Sequence, residues 1–248
     1  MSSHPPSRFK TGFFRLTAGR IRFSFPFRAW IPPVFLMSDI FELFKKISFS
    51  DTSRGAPDFL VVGLGNPGPE YRFTRHNAGF LAMDYMTEKR GLGDLRQSKF
   101  KSLVLTADLD GHRALLMKPQ TYMNASGEAV REAADFYKIA PERILVISDD
   151  AAQEPGRMRI RRSGSDGGQK GLRSVIEHLG TDAFPRIRIG VGIKPDPEYP
   201  MADWVLGKIP EEDRNKIFSV LGCVSEAVPM LLAGRIDDAM SRFNGVKF

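Results

Sequence analysis

From Asp58 onward, short apolar runs alternate with longer amphipathic segments, and that alternation admits few folds. A strand buried on both faces reads as a short continuous apolar stretch, whereas a helix lying on a sheet shows apolar residues three and four apart. Residues 59–63 are of the first kind, and a helix is predicted over about 77–90. Residues 103–108 and 113–117 flank Asp110-Gly111, a dipeptide suited to the positive φ angles of a tight hairpin. Residues 126–138 place Val130, Ala133, Ala134 and Tyr137 on one helical face, and 143–148 form the next apolar run. A strand near 157–161, a helix near 171–179, a strand over 186–191 and helices starting near Glu211 and Arg235 complete the pattern. The expectation is an α/β fold: a single domain with a central mixed, largely parallel sheet flanked by helices.

The beginning of the chain reads differently. Positions 1–56 scatter Pro, Ser, Phe and Arg with no sustained period and are expected to form a flexible basic extension, with 57–248 as the folded domain. Arg8, Lys10, Arg15, Arg20, Arg22 and Arg28 occur there with no acid before Leu36, which suits either an organelle transit peptide or a mis-assigned start. The formal charge of +7 drops to +1 without those six cations, so bulk basicity is no argument for nucleic-acid binding and only a local patch counts. No stretch reaches the ~20 apolar residues of a membrane span, so no membrane partner is expected. The single cysteine, Cys223, excludes an internal disulfide and fits a reducing compartment. The expected location is the cytoplasm, or an organelle stroma or matrix if residues 1–36 are a transit peptide.

Gly63-Leu64-Gly65-Asn66-Pro67-Gly68 follows the first strand and formally matches a dinucleotide-binding glycine pattern. That reading fails on chemistry. Pro67 and Pro69 lack the backbone N–H that a pyrophosphate needs, Tyr71-Arg72-Phe73-Thr74-Arg75 delays the helix, and Asp84 falls inside it. The turn more naturally sets the Asn66 side chain at the carboxyl end of the strand, the edge where open α/β sheets build their sites.

Of four histidines, His4 lies in the extension, His112 follows a hairpin glycine, and His178 ends a helix where a cation meets the dipole favourably. His76 remains, directly before the helix and close to Asn66. It either begins that helix with Asn77 as its cap, or serves as a general base. Asp149, at the end of the strand over 143–148, is either a turn former or the carboxylate that fixes the His76 tautomer; Asp150 is expected to face solvent. Asn124 either caps the next helix or presents an amide to substrate. Ser163-Gly164-Ser165-Asp166-Gly167 misses the first glycine of a nucleophilic serine turn, and no His-x-x-Glu-His or Cys/His cluster exists to hold zinc. No metal or cofactor is expected.

A basic patch appears where bulk charge is silent. Arg157, Arg159 and Arg161 alternate, which on a strand puts three guanidinium groups on one face, with Arg162, Lys170 and Arg173 nearby. Such a stripe is either a solvated face or a track for phosphates.

The glycine turn, Tyr71, Thr74-Arg75-His76-Asn77-Ala78-Gly79, Lys118-Pro119-Gln120-Thr121-Tyr122-Met123-Asn124-Ala125-Ser126-Gly127 and the Gly167-Gly168 loop together resemble the bacterial-type peptidyl-tRNA hydrolase family. The similarity runs from about Phe59 to the C-terminus. It implies a cofactor-free, monomeric hydrolase of the ester joining a peptide to the tRNA 3′ ribose, recycling peptidyl-tRNA released from ribosomes. On matching positions, His76 is the base and Asp149 its orienting partner; Asn66, Tyr71 and Asn124 line the substrate site. Arg157, Arg159, Arg161 and Arg162, with Lys170 and Arg173, fall where tRNA phosphates are expected. Two departures stand out: Gly167-Gly168-Gln169-Lys170-Gly171 replaces the family's Gly-Gly-His-Asn-Gly, and Ala152 stands where a second acid is usual. The alternative implied by relatives of this family is a catalytically inactive RNA-binding protein of the organelle intron-splicing kind.

Overall fold

In the computed structural model, which describes residues 55–248, strand β1 (Phe59–Gly63) lies in the middle of a seven-stranded sheet. The expected extension falls outside the described residues as far as position 54. β1 pairs in parallel with β4 (His112–Pro119) on one side and β5 (Ile144–Asp150) on the other. β3 (Ser102–Leu109) and then β2 (Gln97–Lys99) continue the sheet antiparallel beyond β4, and the β3–β4 hairpin turns at Asp110-Gly111 as expected. On the other side β7 (Arg186–Gly190) runs parallel to β5, and β6 (Met158–Arg161) closes the edge antiparallel to β7. The sheet is therefore mixed, with four parallel strands at its centre.

Period-two alternation assigns each side chain to a layer. Val61, Leu116, Leu145 and Ile147 face one apolar cluster, while Leu60, Val62, Leu115 and Val146 face the other. The first cluster is covered by α1 (Ala78–Lys89), α5 (Glu211–Leu232) and α6 (Ile236–Phe243). The second is covered by α2 (Ser126–Tyr137) and α3 (Lys170–Leu179). Each fully buried Val, Leu or Ile contributes about 1.5–3 kcal/mol. Helix α5 is long and apolar enough by length and composition to cross a membrane, but more than half of that window is buried, and Val220, Val224, Ala227 and Val228 pack into the first cluster. Pro229 in α5 has no N–H to offer the Ser225 carbonyl; the Arg90 guanidinium fills that gap at 2.9 Å.

Two elements escaped the pattern reading, the three-residue β2 and α4 (Met201–Leu206). Both are too short to show a period. At the outer edge of β6, Asn244 meets the Ile160 backbone: its Oδ1 accepts the N–H at 2.6 Å and its Nδ2 donates to the carbonyl at 3.3 Å.

Helix α1 approaches the sheet at glycine. A Cβ on Gly79 would overlap the Ile147 carbonyl and the Leu64 nitrogen, so the glycine sets the height of α1 over β1 and β5. Gly79→Ala is accordingly expected to cost about 1–3 kcal/mol by overpacking. Urea unfolding should show a lower midpoint at an unchanged slope; an unmoved midpoint would refute the close packing.

Candidate active site

β1 has β4 on one side and β5 on the other, and the connections leaving the carboxyl ends of these three parallel strands open around a crevice. A cavity of about 690 Å³ opens there. Asn66 after β1, Met123 and Asn124 after β4, Asp149 on β5 and Gln169-Lys170 at the start of α3 all line it, with His76 and Tyr71.

His76 lies in the 3₁₀ turn Arg75–Asn77 that leads into α1. Its Nδ1 is 3.0 Å from both carboxylate oxygens of Asp149, across 73 residues of sequence. A carboxylate only accepts, so Nδ1 carries the proton and Nε2 presents its lone pair toward the cavity. Asp149 is 2% exposed, and its Oδ1 also accepts from Gln169 Nε2 at 3.0 Å. The other described histidines stand apart: His112 packs edge-on against Phe59, and His178 Nδ1 is 2.8 Å from the Ser174 carbonyl.

Asn66 is held by a neighbour that reads as a helix cap in the sequence. The Asn77 side chain makes no capping bond; its Oδ1 accepts the Asn66 N–H at 2.9 Å and its Nδ2 donates to the Asn66 carbonyl at 3.0 Å. The Asn66 Oδ1 accepts from the Met123 N–H at 2.8 Å, which turns its NH₂ group to the cavity as a donor. Asn124 is exposed within the 3₁₀ turn Met123–Ala125, and it caps nothing, because Ala125 occupies the N-cap of α2. Tyr71 is half-buried and meets Tyr122 edge-on at 6.5 Å between centroids.

One wall is apolar. Met201, Val205 and Leu206 of α4 face the cavity. The helix is pinned by Trp204, whose indole donates to the Gly192 carbonyl at 2.9 Å and carries the Arg75 guanidinium 3.6 Å from its ring centroid. Arg75 also donates to the Lys208 carbonyl at 3.1 Å, and burial pulls its pKa down. The residue before His76 thus ties this wall to the turn that carries the imidazole.

The six basic positions separate. Arg159 and Arg161 face outward from β6 while Met158 and Ile160 are buried, and Arg157 is exposed just ahead of the strand. Arg162 is engaged by Asp237 at 2.6 Å and Arg173 by Asp166 at 3.4 Å. Burial pushes the Asp166 carboxyl up, but the Gly168 N–H and Arg173 outweigh it and leave its pKa low. Lys170 is exposed at the cavity. Register sets Arg159 opposite Arg188 and Arg161 opposite Arg186. Arg186 is fully buried and donates to the carbonyls of Gly164, Ser165, Asp182 and Phe184; burial lowers its pKa. Arg188 lines the cavity and lies 3.1 Å from Asp150.

Asp150 corrects an expectation, for it is 3% exposed rather than solvent-facing and also accepts from Gln153 and the Ala152 N–H. Asn77, Gln169 and Arg188 are site residues that the sequence did not single out. Only Gln169 carried a local signal, as one of two departures in the Gly-Gly loop. Among the described residues no group of three or more His, Cys, Asp or Glu is placed to hold a metal.

The family model described as peptidyl-tRNA hydrolase matches residues 60–248, the whole domain built around this crevice. The chain belongs to that family. The peptidyl-tRNA hydrolase of Caldicellulosiruptor bescii is 47% identical over 188 residues, covering 76% of this chain and 97% of that protein. That of Clostridium acetobutylicum is 44% identical over 189 residues, covering 76% and 99%. The crystal structure of peptidyl-tRNA hydrolase from Acinetobacter baumannii superimposes with a TM-score of 0.72 at 36% identity, covering 78% of this chain and 99% of that one.

Removing the Asn77 amide leaves the buried Asn66 N–H without a partner, which costs about 1–3 kcal/mol. Asn77→Ala should therefore melt several degrees below the wild type in a thermal scan. An unchanged melting temperature would show that the pair does not brace the turn.

Proposed function

We propose that this domain hydrolyses the ester between a peptide, or an N-blocked amino acid, and the 3′ ribose of tRNA, with His76 as general base. The observation that carries the reading is the His76–Asp149 pair, 3.0 Å apart and buried at the edge of a cavity that Asn66, Tyr71 and Asn124 also line. Membership of the family supports the substrate class.

The geometry is compatible with the following steps. Asp149 holds the Nδ1–H, so Nε2 takes a proton from a water in the cavity as the oxygen attacks the ester carbonyl. Negative charge then develops on the carbonyl oxygen, and the amides of Asn66 and Asn124, which line the same cavity, are the donors proposed to meet it. Collapse breaks the bond to the ribose oxygen, which recovers the proton from the imidazolium and leaves as a hydroxyl. The Met201, Val205 and Leu206 wall suits apolar peptide side chains. Arg157, Arg159 and Arg161 offer a phosphate track, which Arg188 joins to the cavity; Lys170 is a further phosphate contact at its rim. The inactive RNA-binding alternative is disfavoured, since it would not require a buried imidazole paired with a carboxylate beside that cavity.

His76→Ala should lower turnover of an N-acylated aminoacyl-tRNA by ~10²–10⁴-fold while tRNA still binds. Full turnover in that variant would end the mechanism. Arg159→Gln with Arg161→Gln should raise KM, leave kcat alone and weaken the salt dependence of kcat/KM. An unaltered salt dependence would remove the strand from the tRNA path.

A further inference from the structure

We infer that Gln169 is a positioning residue that fixes the Asp149 carboxylate, and through it the His76 ring, by means of a side chain that cannot change charge. The inference rests on the hydrolytic reading of the His76–Asp149 pair.

Gln169 is 6% exposed at the N-cap of α3. Its Oε1 accepts the Leu172 N–H at 2.6 Å, and its Nε2 donates to Asp149 Oδ1 at 3.0 Å. The two contacts together determine which way the amide faces. Turned over, it would set its oxygen against a carboxylate and its NH₂ against an N–H, two repulsive contacts at a buried side chain. The Asp149 carboxylate is thus clamped from two sides, by Nδ1 of the base and by an amide anchored to the first turn of a helix.

A buried carboxylate with one donor can swing about its Cβ–Cγ bond; with a second donor on the same oxygen its plane is fixed, and the imidazole it holds is fixed with it. The other charged groups near this carboxylate engage other partners or face the cavity. From β5 and β7, Asp150 and Arg188 face each other; Arg75, preceding His76, is stacked on Trp204; Lys170 extends from α3 into the cavity mouth. None of them hydrogen-bonds to the Asp149 carboxylate, so among the described residues Gln169 is its one hydrogen-bond partner besides His76. Because an amide does not titrate, it adds no step of its own to the pH–rate profile.

The test compares full-length wild type with Gln169→Leu, Gln169→Glu and Gln169→His, following kcat, KM and the pH profile of kcat/KM on an N-acylated aminoacyl-tRNA, with a melting temperature for each. Gln169→Leu should lose about tenfold in kcat, the value of a hydrogen bond to a charged group, with KM nearly unchanged. Gln169→Glu places a second carboxylate against the first, which favours the protonated imidazole and should move the acid limb of the profile up by about one pH unit. Gln169→His should keep most of the turnover at pH 8, because a neutral imidazole also offers one donor and one acceptor. Wild-type kcat in the Leu variant together with an unmoved acid limb in the Glu variant would overturn the inference. So would losses that merely follow a lowered melting temperature while the acid limb stays in place. If His76→Ala is inactive and these Gln169 variants behave as wild type, only the positioning role falls; an active His76→Ala would remove the mechanism itself.

Discussion

Asp149 presents a carboxylate with 2% of its surface exposed, and an ion so thoroughly removed from water is tolerated only where donors replace its hydration. That requirement organises the crevice. The His76 imidazole and the Gln169 amide reach the carboxylate from different segments, the turn before α1 and the start of α3, so both must be in place before β5 can end as it does. The sheet order makes the meeting geometrically simple. β1 lies between β4 and β5, and the loops leaving all three open on the same edge. Close glycine packing of α1 on β1 then delivers His76 at the height of the Asp149 carboxylate.

Features governed by local rules were legible in the sequence. The hairpin at Asp110-Gly111, the apolar strand before the glycine turn and the helix after His76 follow from turn chemistry and periodicity within a few residues. The pairing of His76 with Asp149 was approachable because each sits at the end of its own element, even though 73 residues separate them. What escaped was non-local. Asp150 looks like a solvent-facing strand end until β7 brings Arg188 beside it. Asn77 has the position and residue type of a helix cap, yet its amide serves the Asn66 backbone instead. Of the stripe of arginines, Arg159 and Arg161 lie on a strand face and Arg157 just ahead of it, but the acids that engage Arg162 and Arg173 come from α6 and from the Gly-rich loop, and no periodicity announces them.

Burial also explains how a site exposed to substrate keeps its walls. Arg186 holds the loop at Gly164 and Ser165 with backbone carbonyls alone, and Arg75 holds α4 through the ring and the carbonyl of Trp204. Neither forms an ion pair with a carboxylate among the described residues, and in both burial depresses the pKa. Guanidinium groups suit this use, because the planar fork saturates several carbonyls at once and is weakly hydrated to begin with. Loops on both flanks of the cavity are thereby set by charged side chains that the chemistry never touches.

The Asn244 amide at the rim of β6 has an implication for how this molecule meets others. A bare strand border offers rows of backbone donors and acceptors to any passing polypeptide, and a stripe of arginines would only partly discourage such docking. By taking up the free N–H and carbonyl of Ile160 itself, the carboxamide imitates one rung of a missing neighbour. An incoming strand would find that rung already taken, so the border of β6 offers it an interrupted ladder of backbone partners.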